Sequence, residues 1–189
     1  MAVTLNASTT AGLVTSADTS GNLDLQAGGV TKIAVTSAGV AVTGLSKASL
    51  PTGSVLQVVT ATTSTGVTST STSFVTSGLS ASITPTSATS KIYISLSTSG
   101  YNDGSSYISG WALFRGTVAG TNLGDATWGF AVLSPSLAGG TIAYSYLDSP
   151  ATTSATTYTL GMRTQNAAMP VRSQYPGTTA TITLMEIAA

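Results

Sequence analysis

The chain has 189 residues, no Cys, no His, six Lys and Arg against six Asp and Glu, and a formal net charge of zero. Those counts exclude disulfide staples, thiolate and imidazole metal ligands, and the usual Ser-His-Asp and Cys-His nucleophile systems. Six scattered cations also lack the basic footprint that nucleic-acid binding needs, so no nucleic-acid partner is expected.

Thr (35) and Ser (28) make up 63 of the 189 residues, so the surface is built from hydroxyls rather than charges. With 42% hydrophobic residues there is enough to fill one core, and the low net charge argues against a disordered Ser/Thr tract. No apolar run approaches the roughly 18 residues of a membrane span, so no membrane insertion is expected. Near-zero charge also removes the self-repulsion that keeps copies of a protein apart.

β-branched Thr, Val and Ile dominate while the strong helix formers Glu and Lys are few, which predicts an all-β protein. Between about residues 3 and 45, Gly12, Gly21, Gly28-Gly29, Gly39 and Gly44 separate short runs such as Leu23-Asp24-Leu25, Val30 to Val35 and Val40-Ala41-Val42. These read as very short strands. The segment contains no aromatic residue, and one copy of it buries too little to offset its backbone entropy. It suits a thin shaft in which several chains share a narrow core, as repeat architectures do; a flexible N-terminal tail is the alternative.

Lys47 to Gly53, with Leu50-Pro51-Thr52-Gly53 inside it, reads as a junction between a shaft or docking segment (1–50) and a head (51–189). In the head, nine strands are expected, at 55–60, 72–76, 79–84, 91–97, 106–115, 126–133, 140–147, 156–163 and 178–187. Their spacing fits an antiparallel β-sandwich of jelly-roll-like type. Turns are expected at Asn102-Asp103-Gly104, Gly139-Gly140, Ser149-Pro150 and Pro176-Gly177.

Two strands alternate cleanly: Ile92, Ile94 and Leu96 share one face, as do Leu79, Ala81 and Ile83. Others do not. Residues 106–115 set Tyr107, Trp111 and Leu113 against Ile108, Ala112 and Phe114, and residues 178–187 set Ile182 and Leu184 against Met185 and Ile187. Burial on both faces requires a cover, and a neighbouring subunit is the expected one. Trp111, Leu113, Phe114, Met185 and Ile187 are therefore candidate subunit-interface residues, the alternative being a long loop (115–126 or 164–177) folded over them.

The six carboxylates, Asp18, Asp24, Asp103, Asp125, Asp148 and Glu186, are never closer than six positions in sequence, so no catalytic pair is evident and no enzyme activity is expected. Asp103, alone in a turn, is a poor calcium ligand set, and Glu186 is expected to pair with an arginine. No metal or cofactor is expected. Trp111, Trp128 and the seven tyrosines are mostly core or contact residues, with Trp128 and Phe130 on one strand face and Tyr144 and Tyr146 on another. Tyr101, Tyr107 and Tyr175, beside turns or loops, are the candidate glycan-contact residues, because flat rings with polar edges suit saccharide faces.

Four stretches carry a family resemblance: Gly53-Ser54-Val55-Leu56-Gln57-Val58-Val59; Leu79-Ser80-Ala81-Ser82-Ile83-Thr84-Pro85 with Ser90-Lys91-Ile92; Tyr146-Leu147-Asp148-Ser149-Pro150 running on to Tyr158; and Thr181-Ile182-Thr183-Leu184-Met185-Glu186-Ile187-Ala188. With the N-terminal strings Gly21 to Gln26 and Gly39 to Gly44, the sequence resembles virion appendage proteins of tailed bacteriophages: tail-fibre, head-fibre and capsid-decoration structural proteins. The resemblance implies a non-enzymatic homotrimer in the virion, assembled in the host cytoplasm, that docks on other virion proteins through its N-terminal segment and contacts host-surface glycan with its head. Only about 50 residues precede the head, which favours a short fibre; a capsid decoration or cement protein is the alternative.

Overall fold

A computed structural model describes residues 23–27, 29–43, 50–102, 107–134, 139–175 and 177–189. The expected strands before residue 23, the junction residues Lys47 to Ser49, the turn at Asp103-Gly104 with its calcium candidate, and Pro176 lie outside the described residues. Every regular element among those described is a β-strand, and all strand pairs are antiparallel. The chain divides into two compact units, Met1–Ser49 and Leu50–Ala189.

The first unit contains a three-stranded meander: β1 (Leu23–Ala27), β2 (Val30–Thr36) and β3 (Gly39–Val42). Its turns use backbone that favours glycine, at Gly29 (φ 75) and Gly39 (φ 128). The strand register places Leu23 opposite Val35 and Leu25 opposite Ile33, then skips one residue of β2 at a bulge.

The second unit has eleven strands: β4 (Val55–Thr63), β5 (Val67–Ser69), β6 (Val75–Ile83), β7 (Lys91–Asn102), β8 (Ser109–Arg115), β9 (Thr121–Asn122), β10 (Ala131–Leu133), β11 (Gly139–Asp148), β12 (Thr156–Thr164), β13 (Val171–Ser173) and β14 (Ala180–Ile187). β13 and β14 pair with the same edge of β7, at its far and near halves, and β5 and β4 pair in turn with them. Each pair is thus one strand with an interruption. Counted that way, and leaving aside the two-residue β9, one sheet runs β4/β5, β13/β14, β7, β11 and the other β6, β12, β8, β10. In chain order these are strands 1-8-3-6 and 2-7-4-5, the double Greek key of a jelly roll.

Alternation explains the core. Ile92, Ile94 and Leu96 of β7 and Ile182 and Leu184 of β14 face Leu79, Ala81 and Ile83 of β6 and Tyr158, Leu160 and Met162 of β12, all buried. The two strands expected at 72–76 and 79–84 are one strand, β6. It continues through Gly78, whose φ of 84 absorbs a bulge against β12. Gly139-Gly140, expected to turn, opens β11 instead, opposite Tyr101 and Gly100.

β8 is buried on both faces, but the cover is the chain itself. Trp111 and Leu113 point into the sandwich at 0% exposure, so they cannot serve a subunit contact. On the other face Phe114 packs edge-on against Phe74, at 5.4 Å between ring centres. The loop from Gly116 to Phe130 runs along the edge of β8, where Phe130 donates its N–H to the Trp111 carbonyl and Leu123 to that of Leu113, and it lays Trp128 against Gly110 and Val118 against Gly161 on this face. The expected strand 126–133 shrinks to β10 for the same reason. Asp125 and Gly129 bond each other's backbone across a tight turn, and Asp125 Oδ1 accepts from the N–H groups of Thr127 and Trp128. Trp128 and Phe130 consequently part company: Trp128 lies under the Arg163 guanidinium (4.9 Å), while Phe130 stacks on Tyr144 (4.1 Å).

Candidate functional site

β7 spans the whole head, and its outward residues map the outer face of its sheet: Lys91, Tyr93, Ser95, Ser97, Ser99 and Tyr101. At the Lys91 end the chain enters and leaves the unit, because Gly53 donates to the Ala188 carbonyl and Ala188 donates back to Ser54. Tyr101 stands ten residues further on, roughly 33 Å along the strand at about 3.3 Å per residue. The unit therefore has a proximal end, where the chain enters and leaves it, and a distal end carrying aromatic rings.

At the distal end the Tyr101 and Tyr175 rings meet at 5.0 Å between centres, tilted by 42°. Arg172, opposite Tyr101 in the β7–β13 pairing, sets its guanidinium 5.0 Å from the Tyr175 ring centre, within cation–π range. Tyr175 is 42% exposed and Tyr101 half-buried. Tyr107 is half-buried in the loop that follows β7 at this end. Two of the three sequence-predicted glycan-contact residues thus form one ring pair, while the third, Tyr107, lies just before β8 with no ring contact to them among the described residues. Arg172 was not singled out from sequence, since only strand register brings it there.

The pair rests on a buried polar plug. Gln174 takes φ 52, a left-handed conformation, and is wholly buried. Its amide is best satisfied with the nitrogen donating to the carbonyls of Thr65 (3.2 Å) and Ser77 (3.0 Å) and the oxygen accepting from Thr98 Oγ1 (3.0 Å). Gly177 donates to the Gln174 carbonyl, and Ser99 Oγ donates to that of Tyr175 (3.1 Å). These bonds fix the turn that presents the Tyr175 ring.

The carboxylates do different work. Asp148 and Glu186 both stand opposite Ile92, on the strands either side of β7, so they share one row of the inner face at the proximal end. Each is buried and fully engaged. Asp148 accepts two bonds from Arg115 (2.7 and 2.5 Å) and one from the Tyr158 hydroxyl (2.6 Å). Burial, then the bond to Asp148, pushes the Tyr158 hydroxyl far above its ordinary value, and the Asp148 bond raises the Arg115 guanidinium.

Glu186 does not pair with an arginine. It accepts from Gln57 Nε2 (2.6 Å) and from the Thr86 N–H and hydroxyl (both 2.7 Å), which pins the β6–β7 loop over the end of the core. Burial acts to raise its pKa, but the bonds from Thr86 and Gln57 outweigh it and hold the carboxyl below the usual range. Among the described residues no three of His, Cys, Asp and Glu gather as a metal site would require.

Of the predicted interface residues, Met185 and Ile187 do lie on the outer face of β14, half-buried. Register extends Met185 into an apolar row across the sheet, Val58–Met185–Tyr93–Leu147, with Val58 and Leu147 about half exposed. Beyond that row the face is hydroxyl-bearing: Thr60, Thr183, Ser95 and Ser145 come next.

No protein-family model matches the chain, and no curated protein matches it either. The fold itself defines the class: an antiparallel jelly-roll β-sandwich preceded by a small three-stranded sheet.

Proposed function

We propose that this chain is a structural protein of a tailed-phage virion, a short homotrimeric fibre that docks on the particle through its N-terminal segment and contacts host-surface glycan with the distal end of its head. The observation that supports this reading is the polarity of the head. The chain enters and leaves the head at the proximal end, while the ring pair of half-buried Tyr101 and exposed Tyr175 sits about 33 Å away along β7, at the end away from any support there.

The chemistry at that tip is stacking, not bond breaking. Tilted phenol rings present flat apolar faces with hydroxyl edges, which match the C–H faces and hydroxyls of sugars. Each contact is weak, and linked copies on one particle raise avidity without stronger individual sites. The two carboxylates of the proximal row are both occupied in holding the sandwich closed. Replacing Tyr101, Tyr107 and Tyr175 together by Ala should leave the head folded and lower particle adsorption to host cells on the order of tenfold or more; unchanged adsorption would remove these residues from host contact.

A further inference from the structure

The meander of the first unit has an unusual distribution of side chains. Residues directly opposite in a sheet share a face. Leu23, Val35 and Val40 stand opposite one another across the three strands, and so do Leu25, Ile33 and Val42. The bulge leaves Lys32 without an opposite residue, which switches parity in the rest of β2: Thr31 joins the face of Asp24 and Gln26, with which it hydrogen-bonds, and Val30 joins the aliphatic face. One face therefore carries seven large aliphatic side chains and no charge, while Asp24, Gln26, Thr31, Ala34 and Ala41 occupy the other.

That aliphatic face is open. Leu23 is 45% exposed, Val30 54%, Val40 66% and Val42 51%, and none of the residues of these strands whose burial is described is buried. A sheet that is hydrophobic on one face must bury that face against another element. The uncovered surface is on the order of 500 Å² per copy, the size at which an exposed patch marks an interaction site. We infer that this face is covered by the same face of other copies of the chain, so that the N-terminal unit is the element through which the protein self-associates.

Two features favour a second copy over another occupant. Pressing two such faces together buries about 1,000 Å² in all, at the threshold a biological interface should clear and above most crystal-packing contacts. The contact also desolvates no charge, because Asp24 lies on the opposite face and Lys32 in the bulge, and the unit as a whole balances Asp18 and Asp24 with Lys32 and Lys47. The inference deepens the homotrimer of the proposed function by naming the surface that joins the copies, and it needs neither a particle nor a host: a monomeric native protein would defeat both readings, an assembled Val35→Asp chain this one alone.

Sedimentation velocity of the full chain at micromolar concentration tests it. The native protein should be an oligomer. Val35→Asp, at the centre of the face, should weaken association on the order of 100-fold or more and yield monomer, because an unpaired carboxylate would have to be buried. Val35→Thr, which keeps strand propensity and shape, should weaken it by about tenfold. Ala41→Asp, the same charge on the opposite face, and Met185→Asp on the head should stay assembled. Head unfolding should be the same in the native chain and in the N-terminal variants. A monomeric native protein, an assembled Val35→Asp chain, or equal dissociation by Ala41→Asp or Met185→Asp would overturn the inference. Absence of the protein from phage particles would defeat the proposed function and leave this result untouched.

Discussion

Glu186 holds a loop in place rather than pairing with an arginine. It is the only glutamate in the chain, and its carboxylate collects donors from Gln57 and Thr86 at a place where water is excluded. Because its folded pKa lies below the ordinary value, it contributes stability at pH above the unfolded value, and that contribution is lost as pH falls through the folded value. Thermal unfolding should therefore shift downward as pH drops from about 5 towards 3. Glu186→Gln should show a shallower acid dependence and a loss of about 1 to 3 kcal/mol at neutral pH, since a charged acceptor of several bonds is removed. Equal acid dependence in both proteins would assign the effect to other carboxylates, such as Asp125, which two backbone N–H groups hold below its usual range.

These pairings mark the limit of what could be read from the sequence. The inward residues Ile92, Ile94 and Leu96 were legible because a period of two is a local signal. Gln57 and Glu186 are 129 positions apart, and Arg115 and Asp148 are 33 apart. Their meeting depends on which strands become neighbours, and no local pattern encodes that. Tyr101 and Tyr175 were legible as loop-adjacent aromatics, but their contact with each other and with Arg172 follows only from β13 pairing with the far half of β7.

At the scale of elements, the covering of β8 is the main departure from expectation. A strand apolar on both sides reads as awaiting a subunit or a folded-over loop; the sandwich core takes Trp111 and Leu113, and Phe74 with the Gly116–Phe130 loop covers the face of Phe114. The loop depends on Gly129. Its φ is 77, and a Cβ there would stand 2.0 Å from the Trp111 carbonyl oxygen, so any side chain displaces the backbone. Gly129→Ala should cost about 1 to 3 kcal/mol or more in chemical denaturation and loosen Trp128 from Arg163, read as a red shift in tryptophan emission. Native stability and native emission together would mean that the loop is not the cover. On the outer face of the other sheet Met185 and Ile187 are half-buried, and Val58 and Leu147 in the same row as Met185 are about half exposed.

At the scale of the whole molecule, the division at Ser49 and Leu50 separates two kinds of stability. The head contains its own core, closed by the Asp148 and Glu186 bonds at one end and the Gln174 plug at the other. Removal of residues 1–45 should leave a soluble, cooperatively unfolding head that no longer attaches to particles; a truncated chain that fails to fold would place the boundary elsewhere. The near-absence of charge takes on the same meaning at this scale, since copies of a neutral chain can pack closely without mutual repulsion. Electron microscopy of the intact phage particle is the most direct measurement of the central claim. The account predicts three copies projecting at one site, with the Leu50 end of each head towards the particle and the Tyr101–Tyr175 end outward. Absence from the particle, or heads lying flat within the capsid lattice with those tyrosines buried against it, would contradict it.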